Sequence, residues 1–272
     1  MSEELQDRVI MENLEGRCLF SVPTPQFDHI VVVVEENRPY STIIGNSGAP
    51  FINKLAAQGA LFTRSFAISH PSQPNYLALF SGSTHGVTTS ACPFNFSGPS
   101  LGGELLAAAK TFVGYAEGLP AAGSTVCAAG DYVRRHNPWV DFADVPPSSN
   151  RPMSDFPASI NDLPAVSFVI PNLAHDMHDG TIASANRWLA DRLGGYVRWA
   201  KRKNSLLIVT WDEDDGSSNN HIPTIFFGAH IKSGNYLQNI NHYSVLRAIE
   251  QSTRIALLGK SRRVAEIKDV WA

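Results

Sequence analysis

Four groups of polar residues in this 272-residue chain each follow a short apolar run. Glu35, Glu36 and Asn37 close a valine-rich run, and His70, Pro71 and Ser72 close a second. Residues 172–179, with Asp176, His178 and Asp179, follow Ile170, and Asp212, Glu213, Asp214 and Asp215 follow Thr210 and Trp211. Carboxylates and an amide oxygen gathered in one place repel one another unless a cation lies between them. An all-oxygen set favours a hard divalent ion such as Mg²⁺, Ca²⁺ or Mn²⁺, and added histidines shift the preference toward Zn²⁺. A serine at a helix N-terminus beside such an ion is a competent nucleophile toward a phosphoryl group. The ion lowers the hydroxyl pKa, and the helix N–H groups attract the phosphate oxygens. Ser72 meets both conditions. Taken singly, each group has a plainer reading: Ser72 as a helix cap, Glu35 and Glu36 as a solvated strand end, residues 212–215 as a surface turn closed by Gly216, and His136 and His178 as polar surface groups. Only the combination carries the chemistry.

The elements that must position these residues are legible as alternating runs. Residues 27–34, FDHIVVVV, suit a strand covered on both faces. Residues 50–58 show helical spacing, with Pro50 in the first turn and Gly59 as a stop, and residues 61–68 read as the next strand. A helix over 72–80 begins directly afterwards, with Ser72 near its N-cap, Pro74 in its first turn and Gly82 at its end. Strands are expected over 111–115, 165–170, 206–210 and 223–227. A long amphipathic helix over 182–203 is expected to break near Gly194 and Gly195, and Asn241 should cap a last helix over 242–256. This order predicts an α/β fold, a three-layer α/β/α sandwich around a mainly parallel sheet. Ligands of such sheets bind beyond the carboxyl ends of the strands, where the polar groups above lie.

Composition is that of an ordinary globular chain, 43% hydrophobic and 17% charged. A single domain is expected over 27–272 with an N-terminal tail over 1–26, since no linker, repeat or low-complexity tract marks another boundary. The net charge of -3 argues against a nucleic-acid partner. The basic cluster at 198–203 reads as a solvated helix end. No apolar window is long enough for a transmembrane helix, and Glu3, Glu4, Asp7, Glu12 and Glu15 stand where a signal peptide would be apolar. Of three cysteines, Cys92 and Cys127 lie in Gly/Pro/Ser-rich segments that a disulfide could staple, the alternative being two buried thiols, with Cys18 left over. His29, His85, His230 and His242 read as strand start, loop, loop and helix start.

The motifs resemble those of the phosphoesterase family that contains bacterial acid phosphatases and non-specific phospholipases C, within the alkaline-phosphatase-like superfamily. The resemblance rests on residues 29–40 (HIVVVVEENRPY), 70–76 (HPSQPNY), 132–139 (YVRRHNPW), 175–179 (HDMHD) and 210–213 (TWDE), and extends from about residue 27 to residue 256. It implies an alkaline-phosphatase-like fold in which Glu36 and Asn37 join Asp212 and Glu213 in holding one divalent metal ion. Ser72 matches the nucleophile, which also touches the ion. His136 and His178 match residues that hold the phosphate and protonate the leaving group, and Asn75 and His221 are placed on the substrate side. Glu35 stands where many relatives carry an apolar residue, which selects Glu36 as the ligand. Residues 214–220 depart from the Gly-rich segment of the phospholipases. Cys92 and Cys127 resemble a cysteine pair of the smaller secreted members, implying a disulfide and an exported bacterial protein. Residues 14–21, LEGRCLFS, resemble a short motif near the N-termini of some bacterial exported proteins.

The activity so implied is metal-dependent hydrolysis of a small phosphate ester through a covalent phosphoserine, as in an acid phosphatase. A phospholipase C is the first alternative, although it needs an apolar cleft for acyl chains and usually a further domain. A non-catalytic metal- and anion-binding protein is the second. A serine esterase is disfavoured because Ser72 lacks a G-x-S-x-G elbow.

Overall fold

Strands β1 (His29–Glu35), β2 (Ala60–Phe66), β3 (Phe112–Ala116), β4 (Ala128–Ala129), β5 (Tyr132–Val133), β6 (Asn150–Pro152), β7 (Val166–Ile170), β8 (Ser205–Trp211), β9 (His221–Gly228), β10 (Gly234–Tyr236) and β11 (Ile240–Asn241) make up all the sheet structure of this computed structural model, which describes residues 22–272. Cys18 and the 14–21 motif lie outside the described residues. Nine strands form one sheet in the order β10-β2-β9-β8-β1-β7-β3-β6, with β11 also on β2, and β4 pairs with β5 apart from it. β1 lies between β7 and β8 and is parallel to both, β3 is parallel to β7, and β6 is parallel to β3. Their carboxyl ends therefore share one edge.

The valine run is covered on both faces, and Ile30, Val31, Val32 and Val33 are each 0% exposed. Because side chains alternate along a strand, Ile30, Val32 and Val34 join one core cluster while Val31 and Val33 join another. Among the described residues the α-helices are α1 (Tyr40–Ile43), α2 (Pro50–Gln58), α3 (Ser72–Ser81), α4 (Leu101–Ala107), α5 (Ile182–Ala200) and α6 (His242–Thr253). α3, α4 and α6 pack into the first cluster, and α1, α2 and α5 into the second. The three-layer α/β sandwich expected from the sequence is the fold observed.

The strand expected over 223–227 is present, and the break expected in the long helix is not. The run at 223–227 belongs to β9, which is antiparallel to both β8 and β2. The loop between β8 and β9 is too short for the crossover of roughly a dozen residues or more that a parallel neighbour needs, so the acidic run folds as a tight return. α5 is unbroken at Gly194 and Gly195. Thr181 caps it through a bond from Ser184 N, and its buried face of Trp188, Leu189, Leu193, Tyr196 and Ala200 outweighs the roughly 1 kcal/mol that each mid-helix glycine costs. The cap expected at Asn241 is present, as a capping box with Ser244.

Candidate active site

Ser72 is the first residue of α3, immediately after the segment that leaves β2. The preceding Pro71 is extended and no side chain caps the helix, so the Ser72 hydroxyl is not spent on capping. Its Oγ instead donates toward Glu36 Oε2 at 3.2 Å and Glu213 Oε1 at 3.0 Å. All ten residues of α3 are buried. At its far end Gly82 is left-handed (φ +71°), and a Cβ there would lie 2.3 Å from the Leu258 carbonyl oxygen, so only glycine admits this close approach.

Asn75, expected on the substrate side, is turned inward. Its Oδ1 accepts from Ile68 N at 2.9 Å and Ser69 N at 3.0 Å, and its Nδ2 donates to Ser69 O at 2.8 Å. It braces the turn that presents Ser72.

Four oxygen-bearing residues meet around that hydroxyl. Glu36 follows β1, Asp212 and Glu213 follow β8, and all three are buried. Asp212 N donates to Glu35 O at 2.9 Å, while Asn37, at φ +43°, donates its backbone N–H to Asp212 Oδ1 at 3.1 Å. One end of the Asn37 amide lies 3.1 Å from Glu36 Oε2 and 3.3 Å from Asp212 Oδ1. Nitrogen at that end hydrogen-bonds to both carboxylates, whereas oxygen completes an all-oxygen ligand set, and the choice follows from what else occupies the site. Asp212 Oδ2 is buried with no hydrogen-bond partner. Burial, then Asp212 and Asp176, pushes the Glu36 carboxyl well above the usual carboxylate range. Asp212 is raised likewise by burial and by Glu213. Glu213 is raised by burial, with His70 opposing. Such a group of carboxyls ionises together only around a cation, and the donor chemistry fits a hard divalent ion.

A second layer adds imidazoles. Tyr76, one turn into α3, donates its hydroxyl to Glu36 Oε1, and its ring stacks on His136 at 5.1 Å. His136, 1% exposed, has Nε2 3.4 Å from Glu36 Oε1 and Nδ1 3.5 Å from Asp176 Oδ2. Burial first, then the charges of Arg135 and His178, lowers its pKa well below the usual histidine value, so the ring is neutral. Glu36, His136 and Asp176 each offer an atom within 4.8 Å of the others, a further grouping able to hold a metal ion. The Asp176 carboxyl is raised to about 7 by burial, and its Oδ1 accepts from His178 N at 2.8 Å. His178 is the more open of the two imidazoles, its side chain 31% exposed, and its Nδ1 lies 2.6 Å from Asp179 Oδ1.

The remaining residues divide between support and absence. His221, expected to touch substrate, is stacked between Tyr40 (4.7 Å) and Phe66 (5.1 Å), with Nε2 3.0 Å from Thr63 O. β9 starts at this residue, so its ring packs at the edge of the sheet. Cys92 and Cys127 are joined in a disulfide. The carbonyl of Cys127 accepts from Arg134 N at 3.0 Å, and the Arg134 guanidinium is held by Asp141 at 2.8 Å, whose Oδ2 lies 3.3 Å from Gln73 Nε2. Sequence reasoning gave no part in the site to Tyr76 or His242, and placed His70 and Asp176 among the strand-end groups without a role of their own. Tyr76 sits in an apolar helix stretch and reads as core. His242, taken only for a helix start, is buried and donates from Nε2 to the Asp212 carbonyl at 2.7 Å. A cavity of about 630 Å³ between Tyr236 and Asp269 shares no residue with this site.

The geometry agrees with what comparison with known proteins finds. A profile of the phosphoesterase family matches residues 46–256. A phosphatidylinositol-3-phosphatase of Mycobacterium tuberculosis is 55% identical over 250 residues, covering 91% of this chain and 84% of that protein. A phosphate-repressible acid phosphatase of Penicillium chrysogenum is 30% identical over 253 residues, 86% of this chain, which spans 61% of that longer protein. Among solved structures, a Vibrio parahaemolyticus protein of the alkaline phosphatase superfamily superposes with a TM-score of 0.59 at 13% identity, covering 91% of this chain and 73% of that one, a likeness of fold. With its sheet order, its strand-end carboxylates and these relatives taken together, the chain belongs to the phosphoesterase family and is a phosphoric ester hydrolase with an alkaline-phosphatase-like fold.

Proposed function

We propose that the chain is a divalent-metal-dependent phosphomonoesterase in which Ser72 is transiently phosphorylated. The observation that carries this reading is the Ser72 hydroxyl, set at the first residue of a buried helix within 3.2 Å of Glu36 and 3.0 Å of Glu213. A single ion held by Glu36, Asn37, Asp212 and Glu213 would supply the positive charge that lowers the Ser72 pKa and offsets charge on the phosphoryl oxygens. Glu213 Oε1 accepts the Ser72 proton as the Oγ–P bond forms. The ester P–O bond breaks in line with it, and His178, oriented by Asp179, gives a proton to the departing alkoxide. Water then attacks phosphorus and passes its proton to His178. The Oγ–P bond breaks, and Ser72 recovers its proton from Glu213. The N–H groups that open α3 face the phosphoryl oxygens, Pro74 contributing none. His136 acts there as a neutral hydrogen-bonding group rather than as a cation.

The name of the relative at 55% identity favours a monoester carried on an inositol lipid as one substrate, beside water-soluble monoesters. The Cys92–Cys127 bridge supports export from the reducing cytosol. The test is Ser72→Ala, assayed on p-nitrophenyl phosphate and on short-chain phosphatidylinositol 3-phosphate, with acid-quenched wild type digested to find phosphate on the Ser72 peptide. Both activities should fall by several orders of magnitude. Wild-type turnover by the variant would refute the nucleophile, and diacylglycerol release from phosphatidylcholine vesicles would turn the reading toward a phospholipase C.

A further inference from the structure

His70 stands two residues before Ser72 and belongs to no element, yet both of its ring nitrogens face carboxylates of the β8–β9 return. Nδ1 lies 2.8 Å from Glu213 Oε2, and Nε2 lies 3.2 Å from Asp214 Oδ1. The two oxygens of Glu213 are thereby divided, Oε2 to His70 and Oε1 to the Ser72 hydroxyl. The other contact to Oε2 is weak, Asn75 Nδ2 at 3.5 Å.

Asp214 is the organiser of the return itself. Its Oδ1 accepts from Gly216 N at 2.7 Å, and its Oδ2 from Ser218 N at 2.7 Å and Asn220 N at 2.9 Å. His70 thus ties the self-bonded acidic loop to the turn that presents Ser72, and Asn220 Nδ2 adds a second tie to Ser69 O at 3.2 Å. A glutamate has three rotatable bonds, and an unheld one spends most of its time away from any single ligating geometry.

From this geometry we infer that His70 is a positioning residue for the divalent ion, locking Glu213 and the 214–220 loop so that one carboxylate oxygen is presented to the ion beside Ser72. The inference rests on the metal reading above. Side chains that hydrogen-bond a metal ligand commonly support affinity by roughly 10- to 100-fold, and His70 does so for Glu213. Its side chain is 44% exposed, so replacing it removes little core packing.

The experiment measures Mg²⁺ and Mn²⁺ affinity by calorimetry for chelator-stripped wild type, His70→Ala, His70→Asn and His70→Gln, beside the melting temperature of each in chelator. Ala should weaken the ion by roughly 10- to 100-fold, with a metal-free melting temperature close to wild type. Activity should be lost at low ion concentration and regained as the ion is raised. Asn places an amide nitrogen near the position of Nδ1 and should recover most of the affinity through Glu213. Gln reaches only toward Asp214 and should recover less. Unchanged affinity in His70→Ala overturns the inference, whether the variant is otherwise active, unstable, or impaired in kcat at saturating ion as a lost proton donor would be. Asn behaving no better than Ala overturns the Glu213 route. A wild type that binds neither ion removes the metal reading, and this inference with it.

Discussion

Glu35 and Glu36 are adjacent in sequence and both 0% exposed, but they end on opposite sides of the sheet and meet different company. Glu36 lies on the α3 side among the Ser72 hydroxyl, the Tyr76 hydroxyl, His136 and the Asn37 amide. Glu35 follows the alternation of Val31 and Val33 toward the α5 side, where neither of its carboxyl oxygens has a hydrogen-bond partner. Burial, then Asp176 and Glu117, raises its pKa well above the usual range, leaving a neutral acid. Both carboxyls are costly to ionise. Converging oxygen donors, rather than burial, distinguish a site from a buried acid.

The sharpest break of this comparison is Glu36→Gln. It removes the anionic ligand proposed for the ion, the Tyr76 acceptor and one Ser72 contact together, and should cost about 10²- to 10³-fold or more in kcat with a parallel loss of ion affinity. Steady-state kinetics and calorimetry check it. An intermediate effect is expected from Glu117→Gln on the Glu35 side. Glu117 accepts from Trp188 Nε1 at 2.8 Å and Asn172 N at 3.1 Å, and lies 3.0 Å from His175 Nδ1, so it steadies the loop bearing Asp176 and His178. Denaturant unfolding should show a loss of about 1–3 kcal/mol, with kcat reduced far less than in Glu36→Gln.

The smallest effect on activity belongs to Glu35→Gln, within a few-fold of wild type, and its signature is in stability against pH. The folded carboxyl keeps its proton above the ordinary value of 4.5 while the unfolded chain sheds it. Wild-type stability therefore falls as pH rises through that range, by up to about 1.4 kcal/mol per pH unit for this group. Gln has no proton to shed, so the variant should gain on wild type from pH 5 upward in urea titrations at about one-unit steps. An activity loss matching that of Glu36→Gln would erase the distinction between the two sides.

How much of this was legible in the sequence depends on where each residue stands. The buried strands announced themselves, because a parallel strand covered on both faces must be continuously apolar, as 30–34 is. Asp212 and Glu213 were legible because they follow such a run, and Ser72 because a helix starts there, whereas the run leaves Glu35 and Glu36 equal and only the family resemblance singles out Glu36. The direction of β9 was not, since an apolar pentamer has no polarity and only the length of the loop before it decides. Gly194 and Gly195 misled because local propensity was weighed without the packing of α5. Tyr76 was invisible as a polar group, its hydroxyl being the one polar atom of a core side chain, and Asn75 and His221 bond to their own chain in ways that spacing does not reveal.

The full burial of α3 has a wider consequence. Phe80, about 12 Å along the helix from Ser72, is wedged among Phe112, Phe142 and Phe168, so the rod is anchored at the end opposite its working tip. Surrounding segments can be lengthened or exchanged while that tip keeps its station. Changes confined to the rim can therefore alter what reaches that tip without moving it, because its position is set from the interior.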